Sequence, residues 1–222
     1  MRIFVLLPLL VVLSGCSKEP ILKYEIKGNT VTITDCDESA SGKLVIPAKI
    51  EGNPVTSIGD GAFSWCWRLT TIEVGEGNVN FTEVNGVLFN AEKTVLLTYP
   101  AGKKGANYTI PDGVTGIGIS AFSNSQFLRS ITIPDSVTSI GVRAFNRSGL
   151  TSITIPDSVT SIGSVAFNTC RKLTTVTFLG DAPKAGDYIF NGATPTIYRK
   201  PEAKGWGDTW GGRPVKLISE KP

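Results

Sequence analysis

Four cysteines and no histidine limit the chemistry open to this 222-residue chain. Histidine is the commonest general base, so its absence excludes Ser-His-Asp and Cys-His enzymes. The cysteines also lack the C-x-x-C spacing typical of zinc sites. Asp112, Asp135 and Asp157 recur at one turn, where capping of the turn after proline explains them better than acid catalysis does. The sequence therefore predicts no catalytic residue, metal or cofactor.

Cys16 is the one cysteine whose surroundings predict a covalent modification. Residues 3–13 are an apolar run of signal-peptide length, too short to span a bilayer comfortably, and the small residues Ser14 and Gly15 follow. The order L-S-G-C resembles the lipobox of bacterial lipoproteins, which implies a signal peptide at 1–15, a thioether-linked lipid on Cys16 and a tether at 16–20. A plain secretory signal is the weaker alternative.

The residues after Cys16 bear on where the anchored protein would lie. Ser17 resembles the pattern that lets lipoproteins reach an outer membrane, and Lys18-Glu19 faintly resembles the acidic export signals of Bacteroides surface lipoproteins. Buried acyl chains contribute about 0.8 kcal/mol per methylene, so several chains anchor a protein without a transmembrane helix. We expect a lipid anchor in the bacterial outer membrane with surface exposure, and a periplasm-facing orientation is the alternative.

The sequence contains an internal repeat, and the strands and turns of that repeat would hold any binding residue in place. The phrase LRSITIPDSVTSIGVRAF begins at Leu128, LTSITIPDSVTSIGSVAF begins at Leu150, 22 residues later, and a weaker copy begins at Leu173. Self-similarity at this period indicates a solenoid, in which each coil packs only on its neighbours. Function is therefore expected on an extended surface rather than in a pocket.

Each repeat predicts its own local structure. Residues 131–133 alternate as a strand with one buried face does, and Pro134 ends that strand. Residues 137–140 form a second short segment. Gly141 is expected to permit a tight bend, after which Phe145 returns to the interior.

The spacing L-x-x-I-x-I-P-x-x-V-x-x-I-G-x-x-A-F resembles the BspA-type leucine-rich repeats of bacterial surface proteins. The resemblance covers residues 44–180 and implies a curved, mainly β solenoid of 22–23-residue coils with short turns or helical segments. It extends to an N-terminal cap hairpin at 21–43 and a C-terminal cap at 181–222. It implies use in adhesion or protein binding.

Residues 75–110 depart from the repeat period. Pro100 and Pro111 are only 11 residues apart, which is half a coil. We interpret residues 87–99 as a hairpin or a degenerate coil that turns near 90–94. Residues 101–107 are predicted to form an exposed basic loop that carries Lys103 and Lys104.

The other cysteines are interpreted as structural residues. Cys66 and Cys170 occupy one repeat position, which Ser125 and Ser148 fill in other coils, so a small, half-buried turn site explains all four. Several coils separate Cys66 from Cys170, which argues against a disulfide between them, because bonded Cα atoms lie within about 7 Å. A bond from Cys36 to Cys66 stays open.

The first functional hypothesis is protein binding, with host or extracellular-matrix proteins as partners. Repetition builds an extended flat surface that can hold a protein. Its candidate residues form one outward column: Glu73, Thr98, Thr109, Thr132, Thr154 and Thr177, beside Thr115, Thr138 and Thr160. The alternative explanation is that threonine merely suits solvated strands.

The second hypothesis is an envelope lipoprotein that binds carbohydrate by stacking indole rings on sugars. Its candidate residues are Trp65, Trp67, Trp206 and Trp210. Trp206 and Trp210 have an alternative role, which is to cover the last coil. The net charge of +3 and the dispersed basic residues argue against a nucleic-acid partner. The membrane is expected as a partner through the lipid anchor only.

Overall fold

The computed structural model describes residues 22–220, which form short strands and one 3-10 helix at Ile218–Glu220. The N-terminal strands are β1 (Leu22–Lys27), β2 (Thr30–Cys36), β3 (Ser41–Ile46), β4 (Lys49–Ile50), β5 (Asn53–Ile58), β6 (Arg68–Val74), β7 (Phe81–Val84), β8 (Val87–Asn90) and β9 (Val95–Thr98). The C-terminal strands are β10 (Asn107–Thr109), β11 (Gly116–Ile117), β12 (Ser130–Thr132), β13 (Ser139–Ile140), β14 (Ser152–Ile155), β15 (Ser161–Ile162), β16 (Thr175–Phe178), β17 (Lys184–Ala185), β18 (Thr196–Arg199), β19 (Thr209–Trp210) and β20 (Arg213–Leu217). The leucine-rich repeat solenoid is confirmed, and its coils turn without helical segments in this part of the chain.

Two rows of parallel strands build the regular coils. In one row, β9, β11, β13, β15 and β17 lie side by side, so that Ile117 pairs with Ile140 and Ile140 with Ile162. In the other row, β14, β16, β18 and β20 pair in parallel, and β10 pairs with β12. The predicted alternation is confirmed in β14, where Ile153 and Ile155 are buried and Thr154 is exposed.

A third ladder joins the coils at the turns after each Ile-Gly pair. The N–H of Phe122 donates to the carbonyl of Ala144 at 2.7 Å, and the N–H of Phe145 donates to that of Ala166 at 2.8 Å. Residues at one position of these turns have a φ of 53° to 55°: Ser120, Arg143, Val165 and Tyr188. This left-handed conformation is costly for residues other than glycine. The inter-coil hydrogen bonds offset that cost.

Stacked phenylalanines fill the centre of the regular coils. The ring centroids of Phe122, Phe145, Phe167 and Phe190 are separated by 5.1, 5.2 and 5.4 Å along the column. All four side chains are buried. The prediction that Phe145 and Phe167 point inward is therefore confirmed, and the repeated Ala-Phe pair defines the core.

The glycine after each Ile has a different role from the predicted one. The φ of Gly141 lies outside the left-handed region, so the bend does not require glycine. A Cβ atom on Gly141 would instead lie 2.8 Å from the backbone of Gly118, and one on Gly163 would lie 2.5 Å from the backbone nitrogen of Val142. Glycine recurs because adjacent coils approach too closely for a side chain.

The N-terminal part of the chain packs differently. Where the cap hairpin was expected, β1 and β2 are antiparallel around Gly28, and β2 continues in parallel with β5. The strands β7, β8 and β9 form an antiparallel meander, so the hairpin alternative for residues 87–99 is confirmed. Val87 and Phe89 face the C-terminal core while Leu88 faces a separate N-terminal core, because successive strand residues point to opposite faces.

The exposure of one loop and the C-terminal end of the solenoid differ from what the sequence predicted. The predicted loop at 101–107 is only partly exposed, because Ala101 and Gly102 are buried and the N–H of Gly102 donates to the carbonyl of Leu69 at 2.8 Å. The solenoid also continues beyond residue 180, where the C-terminal cap was expected to begin. The strands β17 and β18 extend both rows by another coil.

Candidate interaction surface

The predicted threonine column is exposed over only three coils. Thr109 pairs with Thr132 in adjacent strands, and both are exposed, as is Thr154. Thr177 pairs with Thr154 on one side and with Tyr198 on the other, and it is only 7% exposed. The prediction that Thr177 points outward is therefore wrong, because a bulky buried tyrosine replaces the threonine of earlier coils beside it.

Two further members of the predicted column lie on other sheets. Thr98 belongs to β9, in the other row of strands, and faces Leu88 of β8. Glu73 lies in the two-stranded sheet of β3 and β6, where its carboxylate is 3.1 Å from the ammonium group of Lys43. The single column expected from Glu73 to Thr177 is wrong, because the meander of β7, β8 and β9 interrupts the register.

The neighbouring threonines hold the coils together. The hydroxyl of Thr138 donates to the carbonyl of Thr115 at 3.2 Å, and that of Thr160 donates to the carbonyl of Thr138 at 3.3 Å. The hydroxyl of Thr115 makes the same contact with Thr94. These side chains bond to the preceding coil, so their repetition has a structural cause.

Trp206 and Trp210 cover the end of the solenoid. Their ring centroids lie 4.9 and 5.0 Å from that of Phe178, and Trp210 is only 8% exposed. Each indole N–H donates to a backbone carbonyl, that of Gly180 for Trp206 and that of Pro183 for Trp210. The covering role is confirmed. A sugar-stacking role for Trp210 is wrong, because its ring is buried.

Exposed aromatic and basic side chains gather instead at the turn after the Ala-Phe pair. Trp65, Trp67 and Phe127 are 52%, 64% and 49% exposed. The guanidinium carbon of Arg147 lies 5.3 Å from the ring centroid of Trp65, a distance typical of a cation-π contact. The tryptophans were candidates from the sequence, whereas Phe127 and Arg147 were not.

Coil stacking brings these distant residues to one edge. The side-chain amide of Asn124 donates to the carbonyl of Ser64, and that of Gln126 donates to the carbonyl of Arg147. An open cleft of about 370 Å³ continues the surface: Gln126, Arg147, Ser148, Thr169, Arg171 and Lys172 line it. We name Trp65, Trp67, Phe127, Arg147, Arg171 and Lys172 the aromatic-basic edge.

The charge of this edge has one sign. The four segments that form it are 64–68, 123–129, 143–150 and 165–172, and they contain five arginines and one lysine but no aspartate or glutamate. Six such cations within a few coils raise the local potential even though the whole chain carries only +3. This basic patch could not be recognised from the sequence, because its charged residues lie far apart along the chain.

The remaining cysteines are free and buried, and two of them touch. The thiol of Cys66 lies 3.5 Å from the carbonyl oxygens of both Cys36 and Asp37. A hydrogen bond with the Cys66 thiol, together with burial, raises the pKa of Cys36 far above its usual value. Cys170 meets Ser148 instead, with their side-chain sulfur and oxygen 3.4 Å apart.

Metal sites and membrane-spanning helices were also considered between residues 22 and 220. No cluster of three or more cysteine or carboxylate side chains there could hold a metal ion. No helix in the same stretch is long and apolar enough to cross a membrane. Cys16 lies outside the described residues, so the expected lipid site stays a prediction.

Comparison with known proteins places the repeat in a family. The family model of the BspA type leucine rich repeat region matches residues 43–104 and 101–199. No curated protein matches the chain. The matched residues include all the coils that carry the aromatic-basic edge.

Solved structures of bacterial proteins have the same fold. A leucine-rich repeat protein from Eubacterium ventriosum is 32% identical, with a TM-score of 0.61 over 72% of this chain and 46% of that one. The pneumococcal vaccine antigen PcpA is 22% identical, with a TM-score of 0.55 over 82% of this chain and 51% of its own, and this likeness concerns the fold alone. The chain spans about half the length of each.

Proposed function

The chain belongs to the BspA-type leucine-rich repeat family, and we propose that it is a non-enzymatic envelope lipoprotein that binds another protein through its aromatic-basic edge. The family and the repeat fold indicate a protein-interaction or adhesion role in general terms. The observation that carries the specific proposal is the contact of Arg147 with the exposed ring of Trp65, in the row of turns that also leaves Trp67 and Phe127 exposed.

The composition of the edge suits a protein partner. Tryptophan and arginine are the residues most enriched among the few that supply most of the binding energy at protein interfaces. A soluble protein rarely leaves several large rings exposed together without a partner for them. Since the edge lacks carboxylates, we propose that it binds an acidic segment of the partner.

Affinity measurements on edge variants test this proposal. The detergent-solubilised full chain is assayed against purified extracellular-matrix proteins, and Trp65→Ala, Trp67→Ala and Arg147→Ala are compared with it. We expect each variant to lose at least about fivefold in affinity, since such contacts contribute about 1 kcal/mol or more. Affinity should also fall with rising ionic strength.

Thr132→Glu combined with Thr154→Glu is the matched control, because both residues are exposed on the threonine column away from the edge. This double variant should keep near-normal affinity. Full binding by all edge variants, or loss of binding only in the threonine variant, would contradict the proposal and return the site to the column.

Carbohydrate binding is the second candidate, and the exposed rings of Trp65 and Trp67 favour it. Either ring could stack on the apolar face of a sugar. A glycan array probed in parallel separates the two functions. Glycan binding that Trp67→Ala abolishes, without any binding to the protein panel, would support the carbohydrate function instead.

We also propose that lipid on Cys16 anchors the protein to the outer membrane, facing outward, with a periplasmic orientation as the alternative. The L-S-G-C order and the preceding apolar run support this. Cys16→Ser should move the protein from the detergent phase to the soluble fraction and abolish labelling with a fatty-acid analogue. Protease treatment of intact cells then distinguishes the two orientations. Unchanged partitioning of the variant would contradict lipidation.

A further inference from the structure

We propose that Cys36 and Cys66 form a disulfide that fastens the N-terminal hairpin to the coil that follows it. This pairing is independent of the binding role proposed above. It would make the hairpin of β1 and β2 a permanent cap, which a solenoid needs because its terminal coil lacks one neighbour.

The two thiols are 30 residues apart in the chain, and one turn of the solenoid brings them together. Cys36 is the last residue of β2, and Cys66 lies in the turn that leads to β6. The sulfur of Cys66 is 3.5 Å from the carbonyl oxygen of Asp37, and the sulfur of Cys36 is 3.7 Å from the same oxygen. The sulfur of Cys66 is also 3.5 Å from the carbonyl oxygen of Cys36 itself. Both side chains are 1% exposed, so packing holds them in this arrangement.

The stacking of coils explains why these side chains meet. Cys66 occupies the repeat position that Ser125, Ser148 and Cys170 fill in later coils. Along that position, Ser148 and Cys170 come within 3.4 Å of each other across adjacent coils. The spacing between adjacent coils is thus short enough for side chains at this position to touch. Cys36 and Cys66 are the two described cysteines whose sulfurs approach one shared atom, the carbonyl oxygen of Asp37.

The oxidation requires an external acceptor. Both thiols lose their protons, the two sulfurs join, and two electrons pass to a thiol-disulfide oxidant whose own disulfide is reduced to two thiols. The thiolate is the nucleophile, so the raised pKa of Cys36 makes the buried pair slow to react once folded. The bond therefore forms while the chain folds, in an oxidising compartment such as the envelope.

Peptide mapping of the wild-type chain tests the bond directly. The full chain is unfolded under reducing conditions, refolded with reduced and oxidised glutathione, blocked with N-ethylmaleimide and digested with trypsin. Cleavage after Lys27, Lys43, Lys49 and Arg68 leaves Cys36 in segment 28–43 and Cys66 in segment 50–68. We expect these two segments to be joined by a bond that reductant breaks, and Cys170 to carry the blocking group.

A stability measurement provides the second arm. Reductant should lower the thermal midpoint of the oxidised wild type and of Cys170→Ser by on the order of 10 °C. It should leave Cys36→Ser and Cys66→Ser unchanged, because neither can form the bond. Cys170→Ser is the matched control, since it changes the same repeat position beside a serine.

Two results would overturn the proposal. One is recovery of both segments as separate, blocked peptides from chain that has regained its β circular dichroism. The other is a bond from either cysteine to Cys16 or Cys170. Neither result bears on the aromatic-basic edge, whose binding assays stand by themselves.

Discussion

The regular coils between residues 107 and 199 and the N-terminal segment between residues 22 and 99 are stabilised in different ways. In the regular coils, identical residues stack on one another, as in the column of Phe122, Phe145, Phe167 and Phe190. In the N-terminal segment, antiparallel pairs interrupt the parallel order, and Phe63 is buried without a ring contact to another described aromatic residue.

The difference shows what faithful repetition contributes to a solenoid. Where the sequence repeats, every coil presents the same surfaces to both neighbours, so ladders, ring stacks and glycine contacts propagate together. Where the repeat breaks down, the chain must satisfy its backbone and cover its core by other means. The meander of β7, β8 and β9 does this between two separate cores.

The largest expected effect comes from cutting the phenylalanine column. Phe145→Ala removes a buried ring that stacks on both neighbours, so we expect it to lower the free energy of unfolding by about 3–5 kcal/mol. Phe63→Ala should cost about 1 kcal/mol less, because it loses burial without a stacked pair. Chemical denaturation of both variants measures the difference. Equal losses would show that ring stacking adds nothing beyond burial.

A smaller effect is expected from filling the space between coils. Gly163→Ala puts a Cβ 2.5 Å from a backbone nitrogen, and we expect it to lower the free energy of unfolding by about 1–3 kcal/mol. At the corresponding N-terminal position, the Cβ of Gly59→Ala would lie 3.3 Å from the carbonyl oxygen of Ile33, so its cost should stay below about 1 kcal/mol. Chemical denaturation curves of the two variants measure both losses. A larger loss for Gly59→Ala would mean that the N-terminal coils are the less adaptable ones.

The smallest expected effect concerns a contact between the two regions. Trp65 comes from the N-terminal segment and Arg147 from a regular coil, and their cation-π contact is exposed. A double-mutant cycle of Trp65→Ala and Arg147→Ala should give a coupling of about 0.5–1 kcal/mol in the free energy of unfolding. Additive effects of the two changes would indicate that the regions are independent at this edge.

Sequence reasoning was most successful where the period is intact. The inward positions of Phe145 and Phe167 and the outward position of Thr154 follow from alternation within one short segment, and the structure confirms all three. Thr177 has the same local pattern as Thr154 but is buried. Its environment depends on Tyr198, which reaches it only through the pairing of β16 with β18.

The candidate surface shows the same limit. Trp65 and Trp67 could be named from their residue type alone. The contact of Trp65 with Arg147 could not, because these residues lie more than three coils apart in sequence and become neighbours only when the turns stack. The glycine column was likewise visible as a repeat, but the close backbone approach that requires it was not.

The sequence by itself determined the solenoid and the inward phenylalanines, because both depend on contacts between a residue and the equivalent residue one period away. The tertiary structure alone decided how far the threonine column extends, where the aromatic-basic edge lies and that Cys36 touches Cys66. These features join residues from different positions in non-identical coils. Periodicity carries no information about such pairs, since only the stacked backbone sets their distance.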